Sequence, residues 1–591
     1  MGKLRVMAAA PDSGRPGDVA ANTRAVLAII AQARAQGARL LVLPEMCLPG
    51  VTAGDLLGHP LMLDACRDAA LDIAKAGEGL ALVLGLPVSV NGRAYNAAAL
   101  ACAGRLQGLV IKKNLDWQER RVFSPELGAN LSQAWPCPIY GGTDGRFDVP
   151  GIGELQVGFV DDMGESPDAG TLALLGASPS RALGGARRLE KLEALAGDSL
   201  CAWANAGANE SSTDQVYDGQ AIILDGGRVL ASVPFSGDYA ISGGAPADTF
   251  AGLSPWEPHP AMPYAPLDME SRAAWCREAL EITARGLATR LWRIGARGVS
   301  LGLSGGLDSA MALLAALRAF EINGMDRDKL RAVSLPAYGT SLRTRNNALA
   351  LMRACGLPEK EIDITASVSS HLKEIGHPEG RHDAVFENAQ ARERTQTLMG
   401  LANQLGGLMI GPGDMSELAL GFTTYGGDHM SMYGVNAGLY KTAIRLIMAW
   451  YASGTDNPDL SGALKAILDT PISPELLPGG DGDIRQKTEA ILGPYLLNDF
   501  FLHHFLSGRL GPEELLGRAL EAFGPRFSRQ EILTRMRGFF TRFFASQFKR
   551  SCLPDGPQAL GLSLSPRGGL TMPSDASAAL WLSALDSLSE D

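Results

Sequence analysis

The chain has 591 residues, more than one ordinary hydrophobic core accommodates, so two or more domains are expected. Hydrophobic residues make up 46% and charged residues 20%, a globular composition. The formal net charge of -11 excludes a general nucleic-acid surface, which needs clustered Lys and Arg. The cysteines stand singly, with no Cys-x-x-Cys pair and no Cys/His cluster at zinc spacing. That argues against a disulfide scaffold or structural metal and for a reduced, cytoplasmic setting. No apolar run approaches the ~20 residues that span a bilayer, and Met1-Gly2-Lys3-Leu4-Arg5-Val6 runs into strand-like sequence without a secretory signal.

In chain order, an apolar run at 4–10 predicts a strand, 22–35 a helix and 40–43 a strand ending in Pro44-Glu45. A helix at 61–76 and a strand at 80–84 repeat the unit, and further strands are expected at 98–102, 109–111, 155–160 and 220–224. Short apolar runs alternating with amphipathic helices mean sheets covered by helices. Between about 234 and 266 Gly, Pro and Ser accumulate, as in Pro255-Trp256-Glu257-Pro258-His259-Pro260, which marks a linker. A long helix at 270–291 then leads into a strand at 298–303 and a helix at 310–320. The alternation resumes with a strand at 332–335, a helix at 344–354 and a strand at 407–410. Past Ser461 the chain reads as short helices and loops, including 486–505 and 512–522, and the acidic end at 587–591 reads as a solvated tail.

The string Ser304-Gly305-Gly306-Leu307-Asp308-Ser309-Ala310 joins a strand to a helix through a tight glycine turn. Glycines let the backbone approach an anion, and free amides with the helix dipole favour phosphate. Ser304 and Ser309 can donate to phosphate oxygens, and Asp308 can hold a magnesium ion that neutralises them. There is no Gly-Lys-Ser/Thr and no G-x-G-x-x-G here, so neither the Walker loop nor the dinucleotide fingerprint applies.

This heptapeptide resembles the pyrophosphate-binding loop of N-type ATP pyrophosphatases, which split ATP into AMP and pyrophosphate while activating a carbonyl group as its adenylate. Four further segments, in order, resemble NAD synthetases within that group. They are Val333-Ser334-Leu335-Pro336 with Thr340-Ser341 and Arg343-Thr344; Phe386-Glu387-Asn388-Ala389-Gln390-Ala391-Arg392; Gly411-Pro412-Gly413-Asp414-Met415-Ser416-Glu417; and Ser546-Gln547-Phe548-Lys549-Arg550. The resemblance implies ATP contacts from Leu303 through Ala310 and at Pro412, and magnesium on Asp308 and Glu417. It implies deamido-NAD contacts from Asn388, Glu417, Phe422, Thr423, Thr424, Tyr425 and Lys549. At Pro412 the family usually has Thr or Ser, so a hydroxyl and an amide hydrogen are missing.

Residues 1–245 resemble the nitrilase-like glutaminase domain of glutamine-dependent NAD synthetases, whose triad is glutamate, lysine and cysteine. Glu45 in Leu43-Pro44-Glu45 matches the glutamate, and Lys113 in Ile111-Lys112-Lys113-Asn114 matches the lysine, with Lys112 a close competitor. Glu119 corresponds to a further family glutamate. Where the family reads I-C-E-D-M, this chain has Phe159-Val160-Asp161-Asp162-Met163. That puts Val160 at the nucleophile position, or Asp162 if the register slips by two. Neither is a thiol, and a thioester needs a thiolate. Cys47, two residues from Glu45, sits on the wrong segment and reads as a small buried hydrophobe.

The resulting expectation is a four-layer α-β-β-α nitrilase-like domain at 1–245, a linker at 246–268, and a doubly wound, flavodoxin-like α/β ligase domain with a helical extension at 269–591. The implied reaction uses Mg-ATP to amidate deamido-NAD with ammonia, supplied free or by a separate partner because the glutaminase is lost, and a homo-oligomer is implied. Two other readings stay open: an adenylating ligase acting on another carboxylate, and a non-catalytic regulatory paralogue.

Overall fold

The computed structural model describes residues 4–11, 15–127, 135–164, 170–207, 210–233, 239–242, 256–471 and 492–590. The chain divides into two units, Met1–Ser211 with Val216–Pro255, and Ser212–Gln215 with Trp256–Asp591. Of the stretch expected as linker, 246–255 lies outside the described residues, while Pro258–His259 and Met262–Pro266 pair as a hairpin of the second unit.

The first unit runs β1 (Val6–Ala9), α1 (Val19–Ala35), β2 (Leu40–Val42), α2 (Pro60–Ala76), β3 (Ala81–Val90), β4 (Arg93–Cys102), β5 (Arg105–Ile111) and β6 (Ile139–Gly141). It continues with β7 (Arg146–Val149), β8 (Gly153–Phe159), β9 (Thr171–Gly176), α3 (Gly184–Ala196), β10 (Leu200–Asn205), β11 (Ala221–Asp225), β12 (Arg228–Val233) and β13 (Tyr239–Ile241). Among the described residues one sheet has the order β13-β1-β2-β3-β4-β5-β6 and the other β12-β11-β10-β9-β8-β7. Side chains alternate across a strand, so Val42, Val83 and Val110 of one sheet meet Leu155, Val157 and Phe159 of the other in a shared core. The opposite face of the first sheet packs Leu41, Leu82 and Ile111 with Ile30 of α1 and Ile73 of α2. The second sheet packs Leu172, Leu174 and Trp203 against Leu192 and Leu195 of α3. This is the expected α-β-β-α layering.

The turn after β2 carries Pro44 and Glu45, and Gly85 of β3 lies directly against it. A Cβ on Gly85 would stand 2.5 Å from Glu45 Cα and 2.6 Å from Met46 N, distances that real side chains do not tolerate. Gly85→Ala is therefore expected to destabilise the first unit by ~1–3 kcal/mol, the usual range for overpacking, read as an earlier urea midpoint. An unchanged midpoint would mean that the turn moves freely.

The second unit begins with the hairpin β14 (Pro258–His259) and β15 (Met262–Pro266), followed by α4 (Met269–Ile294), β16 (Val299–Gly302), α5 (Leu307–Asn323), β17 (Leu330–Val333) and α6 (Leu342–Ala354). Then come α7 (Thr365–Glu374), α8 (Ala384–Leu405), β18 (Leu408–Gly411), α9 (Met415–Leu420), β19 (Tyr433–Gly434) and α10 (Lys441–Gly454). The sheet order is β17-β16-β18-β19, all parallel, with α5 and α8 packed on it. In such doubly wound sheets ligands sit beyond the carboxyl ends of the strands where the order reverses. Here that place lies past β16 and β18, at the loops holding Ser304 and Asp414. Toward the C-terminus, the segment expected as a solvated tail continues the helix Ala579–Glu590, whose Trp581 packs on Phe540 and Phe544. No helix among the described residues is long and apolar enough to cross a membrane.

Candidate active site

In the first unit a buried ionic cluster forms where the β2 turn meets the end of β5. Lys112 Nζ lies 3.0 Å from Glu45 Oε1, 3.0 Å from Glu119 Oε1 and 3.6 Å from Asp161 Oδ2. Asn96 Nδ2 donates to Glu45 Oε1 at 2.5 Å and to Glu119 Oε1 at 3.1 Å. Burial pushes the Glu45 carboxyl up to about 7 against the opposing pull of the Lys112 ammonium, and the three carboxylates hold that ammonium charged.

Of the two adjacent lysines the structure brings Lys112 to the cluster, and it does not bring Val160 there. Lys113 is exposed and its backbone N–H donates to Asp162 Oδ2 at 2.9 Å, while Lys112 reaches Glu45. Val160 faces away from the cluster into the core under α3 with Met163, Leu172 and Leu192. The side chain presented at the cluster after β8 is Asp161, which also accepts from Lys191 Nζ at 3.3 Å. The reason is strand alternation: Phe159 points between the sheets beside Lys112, so Val160 must take the other face. Asp162 spends both carboxylate oxygens on the backbone N–H groups of Lys113 and Asn114. Cys47 donates to Gly85 O within the core, and burial pushes its thiol up to about 12.

These positions separate the two lysines energetically. Lys112→Met leaves the buried Glu45 charge without its main partner and should cost ~3–5 kcal/mol. Lys113→Met, at an exposed site, should stay within ~0.5 kcal/mol of the parent. Urea unfolding of both variants is the measurement, and equal losses would undo the assignment of Lys112.

In the second unit the nucleotide loop is built by local hydrogen bonds. Leu303 N–H donates to Val333 O at 2.9 Å, Gly306 N–H to Ser304 Oγ at 3.1 Å, and Ser309 Oγ to Gly306 O at 3.1 Å. Gly305 has φ +80°, and a Cβ there would overlap the Thr344 carbonyl oxygen, so no side chain fits. Leu307 and Ala310 are buried and anchor the first turn of α5, which leaves Ser304 exposed and Asp308 half-buried at its start. Asn436 Nδ2 donates to both Asp308 O and Pro412 O at 2.9 Å. Pro412, lacking an N–H and a hydroxyl, still holds the two loops together through its carbonyl.

The centre of this site is a lysine that the sequence reading missed. Lys441 Nζ lies 2.7 Å from Asp308 Oδ2, 2.7 Å from Asp414 Oδ2 and 2.7 Å from Glu417 Oε1. Lys441 is 2% exposed and Asp414 0%. Asp414 caps α9 by accepting from the Glu417 N–H at 2.8 Å. Burial and mutual repulsion push the Glu417 carboxyl up to about 7 and Asp414 well above its ordinary range, and the same carboxylates hold Lys441 charged. The three carboxylates offer ligand oxygens within 4.8 Å of one another. Asp308 Oδ1 is buried and, among the described residues, has no hydrogen-bond partner. An oxygen-rich, anionic set with an unused lone pair suits a hard divalent cation.

The expected dinucleotide residues gather beside α9. Asn388 Oδ1 accepts from Thr424 Oγ1 at 2.9 Å, and Lys549 Nζ donates to Gly421 O at 2.7 Å and Thr423 O at 2.6 Å. Phe422 N–H donates to Glu417 O at 3.0 Å. Tyr425 is 47% and Phe548 46% exposed, their rings 5.6 Å apart, while His429 stacks on Tyr425 at 5.0 Å. Arg550, also missed, is fully buried and donates to Leu418 O and Ala419 O, fixing the end of α9.

The NAD synthase family model matches residues 280–510. Glutamine-dependent NAD(+) synthetase of Mycobacterium tuberculosis is 35% identical over 657 aligned residues, covering 96% of this chain and 96% of that protein. The enzyme of the same name from Mycobacterium leprae is 34% identical, again over 96% of each. The crystal structure of a glutamine-dependent NAD(+) synthetase from Cytophaga hutchinsonii superposes with a TM-score of 0.77 over 99% of this chain and 100% of that one, at 19% identity, a likeness of fold.

Proposed function

The chain belongs to the glutamine-dependent NAD(+) synthetase family, and from that premise we propose that its second unit amidates the nicotinate carboxylate of deamido-NAD with ammonia, using ATP. The observation that carries this reading is the carboxylate cluster of Asp308, Asp414 and Glu417 facing the Ser304–Ser309 loop. A carboxylate oxygen of the substrate bonds to the α-phosphorus, and pyrophosphate leaves with the bonding electrons. Ammonia then attacks the resulting acyl carbon through its lone pair, loses a proton, and AMP departs. Asp308, Asp414 and Glu417 would hold Mg2+, which supplies charge neutralisation for the phosphates. Amides at the start of α5, with the hydroxyls of Ser304 and Ser309, suit the departing pyrophosphate. The exposed Tyr425 and Phe548 rings offer stacking faces, and Asn388, Phe422, Thr423, Thr424 and Lys549 order the loop that carries Tyr425.

The nitrogen source is where this chain departs from the name its relatives carry. The side chain that the segment after β8 presents to the Glu45–Lys112–Glu119 cluster is Asp161. A carboxylate attacking glutamine's amide would form an anhydride rather than a thioester, and Lys112 and Lys191 already engage this one. Ammonium is therefore expected to support NAD formation, whereas glutamine alone releases no glutamate. Glutamate appearing at the rate of NAD formation would overturn the loss of the glutaminase.

Asp308→Asn keeps the size of the side chain and removes its charge. Charge stabilisation of phosphate leaving groups is metal and cation work worth several kcal/mol, and each ~1.4 kcal/mol is tenfold in rate, so pyrophosphate release dependent on deamido-NAD should fall at least ~100-fold. The fold is expected to hold, since Lys441 keeps Asp414 and Glu417, and a thermal melt checks this. Equal release from parent and folded variant would remove Asp308 from the mechanism.

A further inference from the structure

The position of Lys441 raises a problem that the proposed reaction does not address. Its ammonium sits 2.7 Å from one oxygen of each of Asp308, Asp414 and Glu417. Those three carboxylates are the ones that would meet a divalent cation. A cation bonded to oxygen at ~2.1 Å cannot share this centre with an ammonium of like charge in a buried, low-dielectric place.

We propose that Lys441 is a placeholder cation, which holds the three carboxylates together until a divalent ion displaces it. The inference rests on the ligase reading above, because it presumes that these carboxylates serve a metal-bound nucleotide. Without a cation, three carboxylates within 4.8 Å would repel one another and spread the loops after β16 and β18. Lys441 prevents this: its backbone N–H donates to Ser416 Oγ at 2.9 Å, and Ser416 Oγ donates to the buried Asp499 carboxylate at 2.5 Å. Thr442, the next residue, donates to the same carboxylate through both its N–H and its hydroxyl. The helix start is thus pinned by its backbone, independently of the ammonium. The side chain can swing away while the helix stays in place. Asp308 Oδ1, buried and without a partner among the described residues, is the oxygen ready for the incoming ion.

The test uses Mn2+ as the probe, with the full chain and no nucleotide, so that binding is read apart from catalysis. Lys441→Met removes the competitor and should bind Mn2+ at least ~10-fold more tightly than the parent. Lys441→Arg keeps a cation whose planar fork holds carboxylates in pairs, and should bind Mn2+ at least ~10-fold more weakly. Should Lys441→Met fail to fold, the arginine variant and a crystal of the parent soaked in Mn2+ decide the matter. Anomalous scattering is expected to place Mn2+ among Asp308, Asp414 and Glu417, with Nζ moved out of contact. Mn2+ beside an unmoved Nζ, or equal affinities across the variants that fold, overturns the proposal. Failure of the ligase reading shows separately, as parent protein that binds Mn2+ in this way yet releases no pyrophosphate with ATP, deamido-NAD and ammonium.

Discussion

A single buried ammonium organises the ligase half. Lys441 joins the loop after β16 to the loop after β18 through Asp308, Asp414 and Glu417. Its burial would be prohibitive alone, because an unpaired ammonium loses its hydration with nothing in return. Three carboxylates reverse that balance, and two elements fix them: Asp308 in the first turn of α5, and Asp414 and Glu417 at the cap and first turn of α9. Asn436 adds a second tie between the same loops, donating to the carbonyls of Asp308 and Pro412.

The nucleotide loop was legible in the sequence because its geometry is local. A strand, a glycine turn and a helix start follow one another within a few residues, and Ser304, Gly306 and Ser309 bond to one another. Lys441 was not legible in that way, since its partners lie far along the chain. One signal did exist: Lys441 shares the buried face of α10 with Ile444 and Met448, at the spacing of an apolar stripe. A lysine on such a stripe must find carboxylates, and Asp414 and Glu417 were already in view.

The side chains that meet in the first-unit cluster follow from strand alternation. Reading a triad by resemblance fixes which segment holds each residue, whereas the pleat fixes which neighbour faces inward. Ile111 packs toward the helices and Val110 between the sheets, so Lys112 follows Val110 inward and Lys113 turns out. The same rule applied to Phe159 sends Val160 outward and lets Asp161 return to the cluster. Strands β9 and β10 escaped the sequence reading for another reason. Thr-Leu-Ala-Leu-Leu-Gly and Leu-Cys-Ala-Trp-Ala-Asn carry few β-branched residues, and buried parallel strands show no alternation.

Both halves bury a lysine among three carboxylates, and the surroundings decide what each cluster can do. Around Lys112, Asn96 adds donors to Glu45 and Glu119, and Lys191 adds a second cation on Asp161. Each carboxylate there has at least two protein donors or cations facing it. Around Lys441 the balance is left open. Three carboxylates face one ammonium, Asp308 and Glu417 keep about a fifth of their side chains exposed, and Asp308 Oδ1 has no partner among the described residues. A cluster with surplus negative charge and an unused oxygen attracts a second cation, and one that is fully matched does not. The two clusters therefore share a motif and differ in charge balance, near-matched around Lys112 and with surplus negative charge around Lys441.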